Sequence, residues 1–316
     1  MTRKPPLILK RLRSLTLDEP SRPGALPHLS AASGLVRAGR RLYVVPDDEN
    51  HLGVFPVAGR KPGKLTRLFE GKLPLGPAKR KKKKPDLESL VKLPAFGGFP
   101  HGALLALGSC SKENRCKAIL MAIDAQGELD GEPAKVDLSA WYDGFERRLG
   151  RLNIEGAVVI GSELHLLQRG NKGGGRNARI RFRLDKVIKS LAKRQCLDMK
   201  PLIEIEEIDL GRIGDVPLCF SDGAALADGR MVFTAVAEDT CDAYEDGTCH
   251  GAAVGVLGRD GRVQLLETIG SRYKVEGIEA VKEGAVIHAL MVTDADDASV
   301  PASLYGCEIR APRRSK

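Results

Sequence analysis

One pattern occurs five times along the chain, and that repetition constrains the fold more than any other feature. Each copy opens with an acidic or small polar residue, then Gly or Ser, then an apolar strand. A Gly-containing turn, a second apolar strand and a polar loop follow. The copies begin at Ser33-Gly34, Glu88-Ser89, Glu155-Gly156, Asp222-Gly223 and Glu276-Gly277. Taking the small residue as anchor, the intervals are 55, 67, 67 and 54 residues. That spacing is on the scale of one four-stranded propeller blade with its loops, roughly 40–50 residues or more. Each copy continues with further strand-like sequence, such as AAVGVLGRDGRVQLLETIG, in which Asp260-Gly261 signals a hairpin turn.

The fold expected is therefore an all-β propeller spanning residues 1–316 as one domain. Five blades are preferred, and six, with one degenerate blade, is the alternative. A β-sandwich with long loops competes, but even spacing favours radial repetition. The fifth copy has only ASLYGCEIR after its second strand, so it lacks an outer strand. The N-terminal stretch LILKRLRSLTL supplies one, closing the ring and removing free sheet edges. One helix is expected over 184–196, inserted in the third blade, where Leu184, Val187, Ile188 and Leu191 form an apolar stripe.

Charge enters at one place. The chain carries 50 Lys+Arg against 41 Asp+Glu, a net +9, but residues 79–84 read KRKKKK, and without them the balance is +3. The run lies in the connection 72–86 between blades one and two, flanked by Pro77 and Pro85. By composition it resembles a localisation signal or nucleic-acid patch, and it is expected to be a solvated inter-blade loop. Aromatic residues make up 4% of the chain, too few to interleave a basic nucleic-acid face, so a nucleic-acid partner is not expected. No stretch approaches the ~20 apolar residues of a membrane span, nor does the N-terminus carry a signal-peptide apolar run. These features lead to the expectation of a cytoplasmic monomer. The close pairs Cys110/Cys116 and Cys241/Cys249 lack the spacing of a structural zinc site, and reduced thiols fit that compartment.

In a propeller the innermost strands line the central channel, so equivalent positions converge. The residue before each anchor is a carboxylate in four copies: Glu88, Glu155, Asp222 and Glu276. Acids gathered in a tunnel repel one another, so either a cation neutralises them or some remain protonated. Oxygen ligands without a histidine cluster favour Ca2+, Mg2+ or Mn2+. An acid before glycine can equally hold blades together through backbone amides, and both readings stand. Polar residues after each second strand are expected to cluster on one face: Asp47, Asp48 and Asn50; Ser109; Arg169 and Asn171; Glu238 and Asp239; Asp294, Asp296 and Asp297. Of these, Asp294 or Glu238 is the candidate general base, and Arg169 the residue that positions an anion. The basic, Gly-rich segment GNKGGGRNAR reads as a hairpin tip, without the spacing of a phosphate-binding loop.

At LNIEGAVVIGSELHLLQRGN and YKVEGIEAV…VTDADD the chain resembles a family of bacterial soluble β-propellers with no assigned activity. More remotely it is similar to phytase-like (esterase-like) propellers. The Glu-Gly blade start is also similar to that of gluconolactonase-type propellers. That last resemblance implies a divalent cation in the channel, with Glu155 or Glu276 at the metal-binding Glu position, and lactone hydrolysis. Two functions follow as expectations: a metal-dependent hydrolase of small anionic esters or lactones, or a non-catalytic propeller that binds a ligand or protein.

Overall fold

Short apolar strands with glycine at their turns can only be buried by stacking sheet on sheet, and the chain does this five times around an axis. The computed structural model describes residues 5–74, 76–170, 176–194, 196–239, 248–270 and 273–312. It contains five antiparallel sheets, four of four strands and one of five. Blade one runs Ala32–Ala38, Arg41–Pro46, His51–Pro56, Lys64–Arg67. Blade two runs Leu87–Leu93, Ala103–Gly108, Lys117–Ile123, Leu129–Asp137, and blade three Ile154–Ile160, Glu163–Gln168, Ala178–Arg183, Leu202–Glu207. Blade four adds a short strand, Arg212–Ile213, before Val216–Ala225, Met231–Asp239, Thr248–Leu257 and Val263–Ile269. Blade five is Lys274–Glu283, Val286–Asp294 and Ser303–Arg310, completed by Lys10–Ser14. That N-terminal strand pairs antiparallel with the last one, Lys10 opposite Gly306 and Ser14 opposite Ser303, closing the ring as the sequence implies. The count is five blades; the six-bladed alternative falls.

The first strand of each blade contacts that of the next all the way round. The apolar core is accordingly divided into five clusters, each sandwiched between neighbouring blades. At two of the small anchors there is no room for a side chain. A Cβ on Gly34 would lie 2.7 Å from the Leu90 backbone nitrogen, and one on Gly277 2.7 Å from that of Leu35. The small anchors are thus a packing requirement of the ring itself.

Among the described residues, three α-helices decorate the connections. α1, Pro77–Lys83, lies within the basic run, so the expected loop is in part a helix. α2, Ser139–Leu149, joins blades two and three and buries Trp141, Phe145 and Leu149, one turn apart. α3, Leu184–Arg194, buries Leu184, Val187 and Leu191 in the same core. Trp141 and Phe182 stack with ring centroids 5.2 Å apart. No described helix is long and apolar enough to cross a membrane.

Candidate functional site

Every innermost strand is kinked by a β-bulge close to its start. In blades one, two, three and five the extra residue is Ser33, Glu88, Glu155 and Glu276. In blade four the register shifts between Phe220 and Asp222, so the bulged residue is Ser221. Three carboxylates, not four, therefore share the channel position. Asp222 sits one place further on, where the other blades carry Gly34, Ser89, Gly156 and Gly277. There it accepts a hydrogen bond from the Ile278 N–H of blade five at 2.9 Å, so Asp222 ties blades four and five together. A one-residue slip in a strand changes which face a side chain serves. The glycine after Asp222 disguises the slip in the sequence.

The ends of the second strands bring further polar groups to the same end of the channel, where two connected clusters form. In the first, the oxygens of Asp47, Asp86 and Glu88 lie within 4.8 Å of one another. The cation among them is Lys84, the last residue of the basic run, whose ammonium bonds Asp47 and lies 2.9 Å from Asp86. Arg115 donates to Asp86 at 2.7 Å from the other side. One turn before Lys84, Arg80 reaches Asp48 at 3.0 Å. Positions 80 and 84 share one face of a helical turn, so two of the six basic residues of the run point inward. The expectation of a solvated run fails there, because uncompensated carboxylates at the channel offer buried partners.

In the second cluster, Arg169 donates to Glu238 at 2.5 Å and lies 3.5 Å from Glu155. Glu155 also accepts from the Asn153 amide. Lys274 lies 2.6 Å from Asp296, 3.5 Å from Glu238 and 3.9 Å from Asp294. Arg169 is thus committed to two blades' carboxylates, which removes it from the role of anion receptor. Glu238 is clamped between Arg169 and Lys274, which removes it from the role of a free base. Asp294 stays in the site.

Protonation follows from the packing. Burial pushes Glu88 well above the usual carboxylate range, with Glu155, Asp86 and Asp47 adding to it. Burial also raises Glu276, despite the opposing pull of Lys274 and Arg169. Asp294 rises to about 8, through burial and its neighbours Asp296 and Asp47, against Lys274. Burial opposes the charges on Lys84 and Lys274, but the carboxylates around them outweigh it and hold both ammoniums well above their usual value. Asp86 is held low by Lys84 and Arg115 in spite of its burial. Around the channel the carboxyls Asp47, Asp86, Glu88, Glu155, Glu238, Glu276 and Asp294 outnumber the cations that reach them, Lys84, Arg115, Arg169 and Lys274, and burial raises three of these acids, Glu88, Glu276 and Asp294.

Other sequence candidates lie elsewhere. Cys110 and Cys116 are buried free thiols; hydrogen bonding to Cys116 and burial push the Cys110 thiol well up. Cys241, and residues 171–175 of the Gly-rich segment, fall outside the described residues. The residues that sequence reasoning missed are Lys84, Asp86, Arg115 and Lys274. The i, i+4 spacing of Arg80 and Lys84 between two prolines was the available signal for the first.

Comparison with known proteins places the chain. The family described as "Family of unknown function (DUF6929)" matches residues 28–309, and the chain belongs to it. No curated protein matches. Among solved structures, an alpha-L-arabinofuranosidase of Podospora anserina is similar with a TM-score of 0.50 at 10% identity, covering 97% of this chain and 98% of that one. A gluconolactonase of Xanthomonas campestris is similar with a TM-score of 0.41 at 9% identity, covering 88% and 72%. At such identities these are likenesses of fold alone.

Proposed function

We propose that this propeller is a divalent-metal-dependent hydrolase of small anionic esters or lactones, with Asp47, Asp86 and Glu88 as ligands for Ca2+, Mg2+ or Mn2+. The observation that supports it is the close approach of three carboxylates from two blades at the channel, with the Lys84 ammonium among them. The residues fit a hard divalent ion: every donor is oxygen, and burial together with the neighbouring carboxylates raises Glu88 well above the usual range, an effect that a bound cation would oppose. Glu155 and Glu276 line the adjoining ring and complete the acidic field. A cation bound here would polarise an ester carbonyl or acidify a water.

The chain's own residues supply the rest. Asp294, titrating at about 8, holds a proton at neutral pH and can deliver it to a leaving oxygen or recover it from water. Arg169 and Lys274 hold Glu155 and Glu238 in place through ion pairs, so the walls of the site do not rearrange as charge moves. The second reading, a non-catalytic binding propeller, is favoured by the commitment of Arg169 and Lys274 to internal carboxylates. One experiment separates the two. Protein purified without an affinity-tag metal is assayed for metal content, for thermal shift with Ca2+, Mg2+ and Mn2+, and for turnover of an ester and lactone panel. Metal-dependent turnover that disappears in Glu88→Gln supports the hydrolase. Absence of any thermal shift with all three ions removes the metal, and with it this reading.

A further inference from the structure

Beside the channel, between blades one and two, a groove of about 860 Å³ is lined by five lysines: Lys72, Lys83, Lys84, Lys117 and Lys135. They come from three separate segments: the connection 72–86, the third strand of blade two and its fourth. Only two acids line the same groove, Glu70 and Asp137. Asp137 is turned to the backbone N–H and hydroxyl of Ser139, and Lys84 is committed to Asp47 and Asp86. That leaves Lys72, Lys83, Lys117 and Lys135 exposed, with no ion-pair partner among the described residues. Unpaired ammoniums converging on one concavity attract a concentrated negative charge. The rest of the lining suits an organic body attached to that charge. Phe69, half-buried against the core between these blades, and Pro74 and Pro85 make an apolar wall, while Asn50 and Asn114 offer amides. The volume is that of a small-molecule site, within roughly 300–1,000 Å³.

We infer that this groove binds a phosphorylated small molecule of about nucleotide size, its phosphates on the four free lysines and its organic part on the Phe69 wall. Lysine serves phosphate as a point charge, and several of them accommodate a group carrying about two negative charges each. The shape is a pocket bounded by two blades and α1 rather than an extended basic stripe with interleaved aromatics, which sets it apart from a nucleic-acid track. The inference stands on the groove's own residues and does not rest on the proposed activity.

The test is calorimetric titration of the full chain with pyrophosphate, ADP and adenosine, in EDTA so that no divalent cation contributes. Pyrophosphate and ADP are expected to bind, more weakly as NaCl is raised from about 50 to about 300 mM, and adenosine is not. Lys117→Glu with Lys135→Glu is expected to weaken ADP binding by roughly tenfold or more, because two attractive charges become repulsive. Lys189→Glu, on the exposed side of α3 and outside the groove, should leave it within about twofold. Circular dichroism and thermal melting check that the variants are folded. Failure of both pyrophosphate and ADP to bind overturns the site. An equal loss in Lys189→Glu reduces the effect to net charge and overturns it too. A single-stranded RNA that displaces ADP at lower concentration than ADP itself requires reassigns the groove to nucleic acid.

Discussion

Replacing Lys84 with Met tests whether its ammonium is the counter-ion of the acidic cluster. The side chain keeps its length and apolar stem, and loses only its charge. At 2.9 Å from Asp86, the Coulomb attraction is about 6 kcal/mol with an effective dielectric of about 20. Two effects reduce the net loss. The buried ammonium no longer has to be desolvated, and Arg115 still holds Asp86 at 2.7 Å. A loss of about 2–3 kcal/mol remains, below the ~3–5 kcal/mol typical of breaking a buried pair outright. For a chain of this size, at about 2.1 cal/mol/K of unfolding entropy per residue, that lowers the melting temperature by about 3–5 °C. The variant should then respond to divalent ions more than the wild type does, because Lys84 no longer competes. At a free Mn2+ concentration of about one hundred times Kd, binding restores about 2.7 kcal/mol. Differential scanning fluorimetry with and without Mn2+ reads both effects, with Lys82→Met, exposed on the same helix, as control. A Lys84→Met protein as stable as the control, or one that Mn2+ does not stabilise, refutes the reasoning.

Three further outcomes follow from the same geometry. Glu88, Glu276 and Asp294 have folded pKa values above their unfolded ones, so the native chain holds more protons than the unfolded chain between about pH 4 and 8. Their contribution to stability therefore falls as pH rises through that window; urea titrations should show it, and Asp294→Asn should flatten the slope. Asp222→Ala removes the acceptor for the buried Ile278 N–H and should cost about 1–3 kcal/mol while leaving divalent-ion affinity intact. Glu88→Gln should do the reverse, and equal loss of metal binding in both would return Asp222 to the channel. Gly277→Ala should destabilise by about 1–3 kcal/mol or more, since the methyl would meet the Leu35 backbone; a melting curve matching wild type contradicts the tight ring.

The architecture was legible in the sequence because it is periodic. Glycine anchors at even intervals marked the strands that must touch at the axis, and the short last copy beside a strand-like N-terminus marked the closure. α2 escaped because Trp141, Phe145 and Leu149 sit in a connection between copies that carries no repeat pattern, although their spacing is helical. The site was legible only where periodicity carried it. Glu88, Glu155 and Glu276 converge as their repeats demand, whereas Asp222 was misplaced by a bulge one residue earlier, which leaves no mark in composition. Asp86 and Lys274 share a repeat position, two residues before Glu88 and Glu276, but its residue type changes from blade to blade (Ala31, Asp86, Asn153, Lys274), so no pattern marked it. Lys84 belongs to no repeat, and its place is set by the charges that it neutralises in the assembled ring.

The pairing of Lys10–Ser14 with Ser303–Arg310 has a consequence for how the chain is made. Lys10–Ser14 finds its partner nearly three hundred residues further along the chain, beyond the strands of blades one to four. Until Ser303–Arg310 has been made and engages it, that strand is an orphan edge with exposed hydrogen-bonding groups. Contacts this distant in sequence fold slowly, so closing this clasp is a costly step of ring assembly.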